Sequence, residues 1–423
     1  MEIRLPYGHS FQTAVIPNHF DIDIIEAPEA LPVSDPLGVI HSALENLLGD
    51  MNWADLARAH SVAIAVNDKT RPVPHEHLLP PLMERLAALG IPDSAITFYV
   101  AVGTHPPMTP DEFPAILPDE ILTRYRVVSH DSENDNLLIH LGETARGTPV
   151  WVNRSYAQSD FKIVIGNIEP HQFAGFSGGV KSAAIGLSAL KTINANHALM
   201  THPDSRLGEY ETNPARQDID EIGQRIVIHL ALNAILNQSR QIIRVLAGEP
   251  KAVMQAGIPL ARQLCQVGVK SEYRLVISSP GGYPKDINVY QSQKGLAHAA
   301  LITRPGGTVI LAAACPEGTG SPHYEEWMLG KRSYAEVLQH FSDEGFHIGP
   351  HKAYQIARDA SRVRLLFCTD MDQDLARALL LNPVRDLQTA IDLALADLQP
   401  GERIGILPHA SSTIPYIVRQ ADI

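Results

Sequence analysis

The chain has 423 residues, of which 45% are hydrophobic and 19% charged, with a formal net charge of −13 and a pI near 5.8. So much apolar material excludes disorder, the length calls for two domains, and the acidic balance argues against nucleic acid or an anionic membrane as partner. The cysteines Cys265, Cys315 and Cys368 lack a CxxC spacing and read as buried thiols; with no signal-like start and no run of about 18 apolar residues, a cytoplasmic protein is expected.

In chain order, "SVAIAV" before Asn67, "AITFYVAV" before Gly103 and "FKIVIG" before Asn167 are continuous apolar runs that stop at turn residues. The same pattern returns in "YRLVISS", "GTVILAAA", "VRLLFC" and "RIGIL". Continuous apolarity marks strands covered on both faces. Between them "HEHLLPPLMERLAALG" and "NVYQSQKGLAHAALIT" carry helical periodicity. The expected fold is α/β: two domains with largely parallel, helix-flanked sheets. The change of pattern at "QVGVKSEYR" predicts domains at 1–270 and 271–403, with 404–423 returning to the first after "LQPGERIG".

The unusual polar residues follow the ends of the apolar runs: "VNDKTRPVP", "GTHPPMT", "EPHQFAGFSGGVK" and "PGGYPKD". Ligands of open α/β sheets bind outside the carboxyl ends of the strands, so one composite site in an interdomain cleft is expected. "GFSGGVKS" has the outline of a P-loop, but Val180 stands where that motif needs glycine before the lysine. Ser177, Gly178 and Gly179 suit a single phosphate at a helix start better than a triphosphate.

His105 and His171, on two strand-end loops beside prolines, suit paired acid and base on opposite faces of one substrate. Arg71 suits an anion through its rigid fork, with Asp68 orienting a neighbouring imidazole or cation. Asn288 reads as an N-cap, which places Tyr290, Gln291 and Lys294 on the first turns of a helix, suited to a carboxylate. His197 in "NANH" belongs to no recognisable metal motif.

Taken together, "DKTRP" (68–72), "GTHPP" (103–107), "EPHQFAGFSGGVKS" (169–182), "NANH" (194–197) and "GGYPKDINVYQSQKG" (281–295) resemble the lactate racemase family that depends on a nickel-pincer nucleotide. The resemblance implies a 2-hydroxyacid racemase or epimerase. Its cofactor would be the nickel complex of pyridinium-3,5-bisthiocarboxylic acid mononucleotide, built by separate maturation enzymes and attached through Lys181. His197 would be the one protein ligand to nickel. The α-hydrogen would leave and return as hydride through a transient 2-keto acid, with His105 and His171 as acid and base, and Arg71, Tyr290, Gln291 and Lys294 around the substrate. The segment "GPHKAYQIAR" departs from family members acting on lactate, which carry a tryptophan there. His351, Lys352 and Tyr354, with Lys69, suggest a larger or more polar substrate. Two rivals remain at this level: a non-catalytic carrier or sensor of the nucleotide, and a P-loop-like phosphotransferase.

Overall fold

In a computed structural model describing residues 1–418, the apolar runs named above are strands and the two periodic segments are helices, His75–Ala88 and Val289–Ala300. The chain divides into two units: Glu29–Leu264, and a second made of Met1–Pro28 with the residues from Cys265 onward.

In the first unit six strands form one sheet. Their order is Ile242–Gly248, Leu230–Leu236, Phe161–Asn167, Val62–Asn67, Ile96–Ala101, Arg126–Ser129. All neighbours are parallel except the first pair. The strand nearest the start of the chain is therefore central. From it the chain builds outward in one direction, then returns to build in the other, beginning with Phe161–Asn167. The crevice between Val62–Asn67 and Phe161–Asn167 is the topological switch point of this sheet, where such folds bind ligands.

The strands read as unbroken apolar runs because both faces are covered. Ile64, Val66, Phe98, Val100, Ile163 and Ile165 pack with Leu78, Leu79, Leu82 and Leu86 of His75–Ala88. Ala63, Ala65 and Val164, which alternate with them, are also fully buried. Each large side chain buried in this way contributes roughly 1.5–3 kcal/mol of transfer free energy.

The second unit has a six-stranded, all-parallel sheet: Pro383–Val384, Arg364–Cys368, Thr303–Ala312, Tyr273–Ser278, Ile404–Leu407, Ile22–Ile24. Val276, Val309 and Leu365 point into one apolar cluster and Leu275, Ile277 and Leu366 into another.

The division of the chain differs from the boundaries expected at 1–270 and 271–403. Ile404–Leu407 pairs with Tyr273–Ser278 rather than returning to the first unit, and residues 419–423 lie outside the described residues. Residues 1–28 also belong to the second unit. The hairpin Glu2–Tyr7/Ser10–Val15 buries Ile3 and Leu5 in the same cluster as Leu275 and Ile277, and Ile22–Ile24 closes the sheet edge. Among the described residues no helix is long and apolar enough to cross a membrane.

Candidate functional site

At the switch point the loops after Val62–Asn67, Ile96–Ala101 and Phe161–Asn167 surround a cavity of about 140 Å³. Asp68, Arg71, His105, His171, Ser177, Gly178, Lys181 and His197 all line it. Three of the four loops singled out in the sequence thus meet within one unit. The fourth, 280–286, belongs to the other.

The first loop turns on Asp68. Its Oδ1 accepts from the Thr70 amide (3.1 Å) and hydroxyl (2.7 Å), closing an Asx turn that leaves Oδ2 for the Nδ1 of His105 at 2.7 Å. Burial raises the Asp68 carboxyl, but the hydrogen bonds from His105 and Thr70 outweigh it and the net shift is downward. A carboxylate only accepts, so the neutral imidazole carries its proton on Nδ1 and presents a lone pair on Nε2. Asp68 is almost wholly buried while the His105 side chain is about half exposed, which fits a fixed orienting group beneath a reactive one.

The third loop begins as a miniature hairpin, Pro170–His171 against Gly175–Phe176. Gly175 has φ +70°, and a Cβ there would meet the Glu209 carbonyl oxygen at 1.7 Å, so no other residue fits. Within the hairpin the Ala174 amide donates to Nδ1 of His171 at 3.2 Å. The neutral His171 ring therefore carries its proton on Nε2. Phe173 makes an edge contact with both His171 and His197, each at 4.8 Å between centroids.

The glycine turn is held from behind. Arg216, fully buried, donates to the carbonyls of Phe176 (3.2 Å) and Gly178 (3.1 Å) and pairs with Asp220. The Ser177 amide donates to the Glu169 carbonyl and the Gly179 amide to Asn233 Oδ1. Two of the three amides assigned to a phosphate are thus already engaged. Gly179 does not line the cavity but packs against Met254 and Arg216. The expected helix start is also short, a single turn over Lys181–Ala184. Val180, the residue that breaks the P-loop pattern, is buried against Gly223 of the helix Pro214–Ile226, so it anchors the turn by packing.

Lys181 is the electrostatic centre of the site. Burial, then the charges of Arg71 and Arg216, push its amine down to about 7, and Glu169 opposes them. Near neutrality much of this amine is uncharged and nucleophilic, unlike a surface lysine. Its neighbour Ser182 donates to Asn67 Oδ1 at 2.7 Å, fixing the turn to the end of the central strand.

His197 sits in the last turn of Leu190–Ala198, with Nδ1 3.1 Å from Asn196 Oδ1. Among the described residues no group of three or more His, Cys, Asp or Glu is placed to hold a metal ion. A metal bound at His197 would draw its remaining donors from something other than such a cluster.

The second unit carries the remaining residues. Asn288 caps Val289–Ala300 by accepting from the Gln291 amide, and Lys294 Nζ donates to Gln291 Oε1 at 3.2 Å. Tyr290 lies under the Lys352 ammonium, 4.7 Å from the ring centroid, and its hydroxyl is 3.3 Å from His351 Nε2. Lys352 is buried and donates to Gln293 Oε1 at 3.3 Å. Burial and the Lys352 charge push His351 down to about 3. Two of the residues read as polar pocket elements differ. Tyr354 stacks on Phe341, and Lys69 is paired with Glu112 and does not line the cavity.

Sequence reasoning missed Asn67, Asn167, Glu169, Phe173 and Ser182. The two asparagines had a signal, since each is the first polar residue after an apolar strand. Asn167 donates to the Pro72 carbonyl at 2.8 Å, while its buried Oδ1 has no partner among the described residues.

Two family models match the chain, the lactate racemase N-terminal domain over residues 7–208 and the lactate racemase C-terminal domain over 269–414. The lactate racemase of Thermoanaerobacterium thermosaccharolyticum is 27% identical over 97% of this chain and 98% of its own length. That of Lactiplantibacillus plantarum is 29% identical over 89% and 90%. The solved lactate racemase apoprotein of T. thermosaccharolyticum superposes with a TM-score of 0.90 at 27% identity, covering 98% of this chain and all of that one. A Thermotoga maritima protein, 18% identical with a TM-score of 0.64 over 92% of this chain, shares the fold. Both halves of the sequence, the cavity at the switch point and these relatives lead to one conclusion: the chain belongs to the lactate racemase family and is an isomerase, a racemase.

Proposed function

We propose that the chain racemises or epimerises a 2-hydroxy acid with a nickel-pincer nucleotide attached at Lys181. The observation that carries this reading is a lysine amine pushed down to about 7 in the same cavity as His105, His171 and His197. The cavity residues fit such a group. Lys181 supplies the amine, His197 a single imidazole donor, and Asn167 Oδ1 a buried acceptor that lacks a partner among the described residues. The amides of Ser177 and Gly179 being engaged, a phosphate here would rest on side chains such as Ser177 and Arg71.

When bound, the group supplies an acceptor that takes the substrate's α-hydrogen with its electron pair and gives it back, so that the substrate passes through a 2-keto acid. The chain's own residues move the proton. His105, its Nδ1–H held by Asp68, offers Nε2 as base toward the substrate hydroxyl and returns that proton when the hydroxyl re-forms, and the neutral His171 offers Nε2–H as a hydrogen-bond donor to the same oxygen. Arg71 provides a cation at the cavity wall for the carboxylate. Tyr290, Gln291 and Lys294 keep the carboxylate-binding role that the family resemblance implies.

The buried Lys352 beside Tyr290 supports a substrate larger or more polar than lactate. The deciding experiment is intact mass and nickel analysis on protein produced with the enzymes that build the nucleotide. A panel of lactate, malate and sugar acids should follow. An added mass at Lys181 with about one nickel per chain is expected. Unmodified Lys181 in an active preparation, or lactate preferred by a wide margin, would overturn the attachment and the substrate reading respectively.

A further inference from the structure

Behind His197 lies a chain of hydrogen bonds that begins on a buried carboxylate and ends on the imidazole. Asp218, on the helix Pro214–Ile226, is 1% exposed. It accepts from the Thr144 hydroxyl (2.6 Å), the Thr148 hydroxyl (2.9 Å) and Asn196 Nδ2 (2.9 Å). Asn196, fully buried, also donates from Nδ2 to the Ala215 carbonyl at 3.0 Å. Both partners of that nitrogen are acceptors, so the orientation of the amide is fixed. Flipping it would forfeit two buried hydrogen bonds and turn an oxygen toward a carboxylate. The other end of the amide, Oδ1, then faces His197 Nδ1 at 3.1 Å. Oxygen can only accept there, so in the neutral ring Nδ1 must carry the proton and Nε2 the lone pair.

We infer that Asp218 is a positioning residue: acting through Asn196, it locks His197 in the Nδ1–H tautomer, the one form of the neutral ring in which Nε2 can bind a metal. The assignment of nickel to His197 rests on the proposed function, whereas the tautomer is a property of the chain alone. The arrangement has a general logic. Metal-binding imidazoles keep their second nitrogen in a hydrogen bond that fixes ring orientation, and loss of such a partner costs roughly 10–100-fold in metal affinity. In this chain the partner is an amide, and the amide is itself oriented by a carboxylate.

The test is ¹⁵N NMR of the histidine-labelled, nucleotide-free chain with the ring neutral, the His197 signal assigned by its absence in His197→Gln. In the wild type, His197 Nε2 should show the shift of an unprotonated ring nitrogen. Asn196→Leu, which keeps the shape and removes the acceptor, should move that signal toward a tautomer mixture, and Asp218→Asn should do so in part. The pair Thr144→Val and Thr148→Val, which strips Asp218 of its other partners, should lower the melting temperature and leave the tautomer unchanged. In the nucleotide-loaded enzyme, Asn196→Leu should lose nickel to a chelator about 10- to 100-fold more readily. A protonated Nε2 in the wild type, or an unchanged tautomer in a folded Asn196→Leu chain, overturns the inference. An unmodified Lys181 in loaded enzyme would instead defeat the proposed function and leave the tautomer result standing.

Discussion

His105 and His171 occupy loops after two strands of the same sheet and line the same cavity, yet their Nδ1 atoms are held in opposite ways. One bonds to a carboxylate and the other accepts from a backbone amide. The first contact places the neutral ring's proton on Nδ1, the second on Nε2, so the cavity is offered a lone pair by His105 and a proton by His171. Two identical residue types thus present an acceptor and a donor through nothing more than what stands behind them.

The largest effect is expected from removing the amine that both rings are expected to serve. Lys181→Ala should abolish racemisation together with the added mass. In the nucleotide-free wild type, acylation of this lysine should reach half its plateau rate near pH 7, because the folded amine loses its proton there and is neutral above it. A midpoint close to the ordinary lysine value of 10.5 would remove the basis for a tether.

Next in size are His105→Ala and His171→Ala. Each should lower kcat/KM by about 10²- to 10⁴-fold with the bound mass retained. The ratio of the two directions should stay fixed, since the equilibrium constant sets it. ¹⁵N shifts on the nucleotide-free chain would sharpen the contrast directly, with Nε2 unprotonated in His105 and protonated in His171. The same tautomer in both rings would end it.

Asp68→Asn should act on the His105 side alone. Loss of a charge-assisted bond of about 1.5–3 kcal/mol corresponds to a roughly 10- to 100-fold slower turnover, and the His171 ¹⁵N signals should not move. The smallest effect is on stability. The Asp68 carboxyl is lowered in the folded chain, so the unfolded chain binds its proton first as pH falls. The wild type's advantage over Asp68→Asn, of order 1 kcal/mol, should be present above the ordinary carboxyl value of 3.8 and fade below it. Urea titrations at pH 6 and pH 3 would measure the difference, and an advantage that grows on acidification would contradict the assignment.

Local chemistry in the sequence determined a great deal. Unbroken apolar runs declared doubly covered strands, turn residues marked their ends, and the residues that line the cavity stood immediately after those ends. The cap at Asn288 and the helices over 75–88 and 289–300 were readable for the same reason, since capping and periodicity are properties of neighbours in the chain. What the tertiary structure alone decided is everything that depends on a distant partner. It drew residues 1–28 and Ile404–Leu407 into the second unit, because strand pairing is chosen by which edge is available and not by the strand's own composition. It seated Val180 on Gly223 and engaged the amides that the glycine turn seemed to offer. It also set the protons on three histidines through Asp68, Ala174 and Asn196, since a ring nitrogen's role is fixed by the atom opposite it, and no spacing in a sequence names that atom.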